Sequence, residues 1–355
     1  MNSPEDDLNK DARRDRLEMS AAQHNLTSAM GSPIFFGAAG LRPFWGLLIY
    51  LAILAPMVWL AIAFSTPQGN PSPAEAVQPF SPFTVATREW LLFGFLFFAT
   101  WIMSRIEDRS VFDNGLQQTP RRCRWLATGA CWGLLFLSLL IAILWSTHHL
   151  VFTAVLLRPL PALGYGLAWI VAFVGVAFFE EFCFRGYLQF NLTRCFAGLI
   201  RWFAPNARFA DAAGFWIAAV LISFGFGLIH KTNPGESPLG LLCAGSAGLV
   251  FAFSLWRTGS LWWAIGLHAA WDWVQSFLFG VADSGALSQG RLLESHPSGS
   301  ALMSGGLTGP EGSVFVLLVL LLIALVVTFT LHRDPTADVP WSTGQSTNAS
   351  SSTLA

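Results

Sequence analysis

Charge is what this sequence has least of. Only 12% of its 355 residues are Asp, Glu, Lys or Arg, and the formal net charge is −1, against roughly 25% charged residues in ordinary soluble domains. A nucleic-acid partner is therefore not expected, because it would call for a basic face. The five cysteines (Cys123, Cys131, Cys183, Cys195 and Cys243) form no CxxC and no paired spacing. That removes a disulfide framework and a thiolate zinc site, and leaves them as apolar filler. There is no HExxH, the commonest zinc-protease signature. There is also no GxSxG elbow: Ser246 lies in "CAGSAG", which reads as small-residue helix packing. No repeat of fixed period is visible. Residues 1–40 are polar and mixed in charge, so no signal peptide is expected there.

What is abundant is apolar and aromatic: 54% hydrophobic residues, with 31 Phe and 16 Trp. Apolar runs fit for roughly 30 Å of hydrocarbon fall at 44–64, 90–104, 125–146, 163–185, 213–230, 239–256, 260–280 and 313–331. The expected fold class is all-α, a polytopic transmembrane helical bundle of about eight spans. Of the 20 Lys and Arg, only Arg88, Arg158, Lys231 and Arg291 fall on one side of the alternating connections, leaving sixteen on the other. Cytoplasmic loops are enriched in these residues, so the expected topology is N-in and C-in.

The expected organisation is a polar cytoplasmic tail at 1–40, three helices at 41–158, a four-helix core at 159–280, an outer Gly/Ser-rich loop at 281–312, a last span at 313–333, and a low-complexity tail at 334–355. Both tails read as disordered. The lipid bilayer is the expected surroundings, and tail composition points to a bacterial plasma membrane.

Ionisable groups inside a span cost at least ~2.5 kcal/mol each on insertion scales, so each is a functional hypothesis in need of a partner. Spacing of four residues places side chains on one helix face and groups them as Glu181 with Arg185, Phe226 with His230, and His268 with Asp272. Glu180 is offset by about 100° from Glu181 and is left without a partner on its own helix. A carboxylate, two histidines and an aspartate on separate spans suit water activation and oxyanion stabilisation, or the holding of a divalent metal. Both belong to amide hydrolysis. The plainer alternatives are interfacial anchoring of Glu and Arg, an ordinary helix-end His230, and a structural His268–Asp272 pair. Cys183 beside two carboxylates is disfavoured as a nucleophile.

"EEFCFRGYLQ", "FGLIH" and "GSLWWAIGLHAAWD", in that order, resemble the three signature motifs of the CPBP family. These are the CAAX-protease and bacteriocin-processing intramembrane peptidases, also called ABI. The resemblance covers about residues 163–280. It implies a helical bundle whose polar residues converge in a cavity within the membrane and cut a peptide bond of a membrane-associated peptide or protein. Glu180 resembles the glutamate that activates the attacking water, with His230 assisting. Glu181 and Arg185 resemble a supporting pair, and His268 and Asp272 the groups that steady the oxyanion. Family members are described both as metalloproteases and as metal-independent glutamate peptidases, so a divalent metal such as zinc on Glu180, His230, His268 and Asp272 stays open.

Many members carry Asn where this chain has Asp272, and an ionised Asp would repel an oxyanion. Asp272 is therefore expected to be protonated, turned toward His268, or bound to a metal. Depth is a second problem, since Glu180 and His230 fall at opposite ends of their spans. The expected resolution is that the fourth span continues past Arg185 through "GYLQFNL" and raises Glu180 toward mid-membrane. Two rivals accompany the peptidase reading: a non-catalytic membrane scaffold or immunity protein, and a proton-coupled transporter.

Overall fold

The computed structural model describes residues 34–37, 40–65 and 79–332. Most of 1–40, all of 334–355, Arg333 and the middle of the first outer loop lie outside the described residues. All eight apolar runs are helical. They become α1 (Pro43–Ser65), α2 (Pro82–Ile106), α3 (Arg122–Ser146), α4 (Pro159–Arg185), α6 (Ala207–Ile229), α7 (Pro238–Thr258), α8 (Trp262–Asp272) and α9 (Phe315–Thr330), with α5 (Tyr187–Phe203) inserted after α4. Among the described residues, six helical stretches are long and apolar enough to cross a membrane. α9 is shorter, and α8 reaches span length through the π-helical turn Trp273–Leu278 that follows it. The molecule is an all-α polytopic helical bundle.

Local chemistry sets the helix ends. Pro82, Pro159 and Pro238 each occupy a first turn, where proline's missing N–H costs nothing. Asn206 and Ser237 cap α6 and α7 by accepting from Phe209 N and Gly240 N.

Consecutive spans join alternately at two opposed ends, as the charge count requires. At one end, β1 (Leu150–Val155) pairs antiparallel with β2 (Leu293–Pro297). Phe80 bridges Ser288, and Thr308 reaches the Gly235 carbonyl at 2.9 Å. At the other end, Leu261 N donates to the Gly115 carbonyl, Tyr187 Oη to Glu107 Oε1 at 2.6 Å, and Arg257 to the Leu331 carbonyl at 2.8 Å. We call these the outer and inner ends, following the Lys/Arg asymmetry.

The fourth span does not simply run on past Arg185. Gly186 breaks it with φ −86° and ψ −125°, a combination that side chains disfavour, and a Cβ there would overlap the Phe182 carbonyl. The chain resumes as α5, whose buried Asn191 and Thr193 and half-buried Arg194 give it a polar character that the apolar spans lack. Its first residue, Tyr187, already touches Glu107 at the inner end. Glu180 lies about two turns outward of Tyr187, between Phe178 and Phe182, which meet Trp90 and Phe93 in the interior of α2, so it stands inside the bundle, as expected.

α3 and α8 meet at unusually close range. A Cβ on Gly129 or Gly133 would run into the backbone carbonyls of Trp263 or Leu267, and one on Gly266 into that of Leu126. Small residues at such crossings let backbones approach within van der Waals reach. The crossing fixes the turn of α8 that carries His268. Outward faces such as Trp59, Phe83, Leu163 and Phe224 remain apolar and exposed, the arrangement a hydrocarbon solvent requires.

Candidate active site

Glu181 and Arg185 occupy the last turn of α4, both fully buried, with Arg185 Nη1 3.1 Å from Glu181 Oε1. The same oxygen accepts from His268 Nδ1 at 3.0 Å. A carboxylate oxygen only accepts, so Nδ1 carries the proton and Nε2 is the nitrogen turned to the remaining groups. Nε2 lies 3.8 Å from Glu180 Oε2 and 3.6 Å from Asp272 Oδ2. One imidazole therefore stands among three carboxylates, two from α4 and one from its own helix. Of the three postures expected for Asp272, the geometry shows it turned toward His268.

Arg185 is held from several sides. Its guanidinium lies over Phe226 at 4.4 Å and over Phe251 at 5.4 Å, contacts that favour a desolvated cation. Gly248 makes room for it, since a Cβ there would fall 2.7 Å from Arg185 Nη2. Phe226 also serves His230 on the next turn, where Nδ1 donates to the Phe226 carbonyl at 2.7 Å and the rings meet edge-on at 4.9 Å. That bond leaves His230 Nε2 as the available nitrogen.

Glu180, Phe226, His230, His268 and Asp272 all line one cavity of about 1070 Å³ that extends to the outer loops. Within it they do not form one cluster. Among the described residues, Glu180 contacts His268, whereas His230 is recorded against Phe226. The expected pairing of His230 with Glu180 is not among those contacts. Depth does not separate them: Phe184 and Arg185 of α4 meet Phe226 of α6 at 5.1 and 4.4 Å, and one turn outward from that level lie Glu180 on α4 and His230 on α6. No three His, Cys, Asp or Glu side chains among the described residues are arranged to hold a metal ion.

Sequence reasoning passed over three groups. Phe251, on a helix with no motif, stacks on His268 with centroids 5.3 Å apart and planes 16° apart. An uncharged Gln275 sits one turn beyond Asp272, in the π-helical turn, a feature that often marks functional positions. Gln275 accepts from Trp271 Nε1 at 2.9 Å and donates to the Ala282 carbonyl and to Glu311 Oε2. Glu311 further accepts from Ser284 N at 2.6 Å, and Asp283 from Ser276 Oγ at 2.9 Å. This network ties the outer loop to the end of α8. Burial pushes both acids above the usual carboxylate range, and the nearby Glu311 charge adds to the effect on Asp283. A polar residue inside an apolar span was the available signal for Gln275; nothing local marks Phe251.

Ser246 donates back to the Leu242 carbonyl of its own helix at 2.7 Å, as a packing residue does.

In a comparison with protein families, residues 161–274 match the family described as Rce1-like, type II CAAX prenyl endopeptidase. The match covers about a third of the chain and contains all three motifs. Neither curated proteins nor solved structures gave a match.

Proposed function

From the premise that residues 161–274 are Rce1-like, we propose that this multi-pass membrane protein is an intramembrane endopeptidase. It would hydrolyse a peptide bond of a membrane-associated peptide or protein, in CAAX-type processing or in maturation of a peptide precursor, with Glu180 as the base. The observation that supports this reading best is the juxtaposition of Glu180 with a histidine whose other nitrogen is fixed by a buried ion pair.

In this mechanism Glu180 takes a proton from water as the water oxygen attacks the scissile carbonyl carbon. The oxyanion that forms accepts a hydrogen bond from Nε2–H of a His268 imidazolium, whose Nδ1–H stays on Glu181 and whose Nε2 side faces Asp272. As the C–N bond breaks, Glu180 returns the proton to the leaving nitrogen. Glu181, neutralised by Arg185, holds Nδ1–H throughout, and His230 presents its free Nε2 to the same cavity. A positioned base of this kind contributes about 10²–10⁴ in rate.

The test is cleavage of a quenched peptide library by the purified protein in detergent, comparing wild type with Glu180→Gln, each with and without chelator. The expected result is turnover by the wild type that is unaffected by chelator and lost in Glu180→Gln, with unchanged thermal unfolding. Wild-type turnover by Glu180→Gln would sink the role given to Glu180. Loss on chelation with recovery on adding zinc would overturn the metal-free route. The scaffold reading draws support from His230, whose Nδ1 bonds the Phe226 carbonyl of its own helix. It wins if Glu180→Gln and His230→Ala both retain the protein's biological effect.

A further inference from the structure

His268 is held at one point by Glu181, and one hydrogen bond fixes the position of Nδ1 but not the plane of the ring. The terminal torsion of a histidine is broad, so a ring pinned only at Nδ1 can swing Nε2 away from Glu180 and Asp272. The ring that lies against that plane is Phe251. It is buried, lines the cavity, and lies almost parallel to the imidazole at 16° and 5.3 Å. The Arg185 guanidinium borders the same ring at 5.4 Å. One turn earlier, Gly248 provides the space into which Arg185 Nη2 fits beside Ser223. One face of α7 thus receives both the cation that neutralises Glu181 and the imidazole that Glu181 orients.

We propose that Phe251 is a positioning residue for His268, fixing the plane of the imidazole so that Nε2 stays directed at Glu180 and Asp272. It touches neither substrate nor the reacting atoms; it acts through His268. The consequence for the reaction rests on the proposed peptidase reading, whereas the effect on His268 does not.

The experiment replaces Phe251 with Leu, which keeps bulk and apolarity but has no flat face, and with Tyr, which keeps the face. Phe253→Leu is the control on the same helix, since Phe253 packs toward Trp216 at 6.2 Å. Histidine-selective ¹⁵N spectra of the full chain in detergent report the His268 tautomer and titration midpoint. Peptide cleavage reports kcat and KM separately.

Phe251→Leu is expected to displace the His268 midpoint and lower kcat about tenfold or more, with KM within about twofold. Phe251→Tyr and Phe253→Leu should behave as wild type. A wild-type His268 titration in Phe251→Leu overturns the proposal, and so does equal disturbance by Phe251→Tyr. If the wild type cleaves nothing, the peptidase reading fails, and the ¹⁵N titration alone decides the role of Phe251.

Discussion

Glu181 Oε1 lies 3.0 Å from His268 Nδ1, and the same oxygen is 3.1 Å from Arg185 Nη1. A glutamate whose spacing suggested only an ion pair along its own helix therefore also fixes a histidine on another one. The two motifs are joined through a single oxygen atom, and Glu180, its neighbour in sequence, faces the opposite nitrogen of the same ring.

Glu181→Gln should destabilise the fold as well as impair activity. It leaves the fully buried Arg185 without its counter-charge, and breaking one side of such a pair typically costs about 3–5 kcal/mol. The measurement is thermal unfolding in detergent alongside cleavage. Adding Arg185→Met to Glu181→Gln should recover much of the stability without the activity, because it removes the stranded charge but leaves His268 on a neutral amide oxygen in place of a carboxylate. Full recovery of both would show that the His268 bond has no role.

The tie between the outer loop and α8 should weaken as pH rises. Asp283 and Glu311 sit above the usual carboxylate range, so the folded form binds more protons than the unfolded one. Stability from this source is fully present below about pH 4 and is lost as pH climbs toward about 8. Hydrogen exchange across 281–312 should be faster at pH 8.5 than at pH 5.5. The double substitution Asp283→Asn with Glu311→Gln should flatten that dependence, and an unchanged dependence would count against the network.

Gly266→Ala should reduce both stability and activity, because its Cβ would meet the Leu126 carbonyl at the crossing of α3 and α8. Overpacking a tight contact commonly costs about 1–3 kcal/mol, and here the displaced helix carries His268. Gly94→Ala is the matched control, since nothing lies within 4 Å of a Cβ there. Unfolding temperature and cleavage rate of the two variants make the comparison. Equal behaviour would mean that the crossing is looser than described.

The amino-acid sequence by itself determined the membrane class, the apolar spans and the pairs along each helix. Hydropathy acts over one span, and a spacing of four residues is a property of a single helix, so the Glu181–Arg185 pair and the contact of Phe226 with His230 were legible without a fold. α5 was not among the eight runs, because Asn191, Thr193, Arg194 and Arg201 interrupt its hydropathy while leaving it helical. Spacing also made Glu181 look purely structural, while the resemblance gave His230 to Glu180 as its assistant. Tertiary structure decided those matters. Close approach at Gly129, Gly133 and Gly266 sets where α8 lies, the break at Gly186 sets where α4 ends, and together they put His268 against both glutamates. Phe251 joins them from a helix with no motif, because contacts between helices depend on how backbones cross, and no spacing within one helix records that.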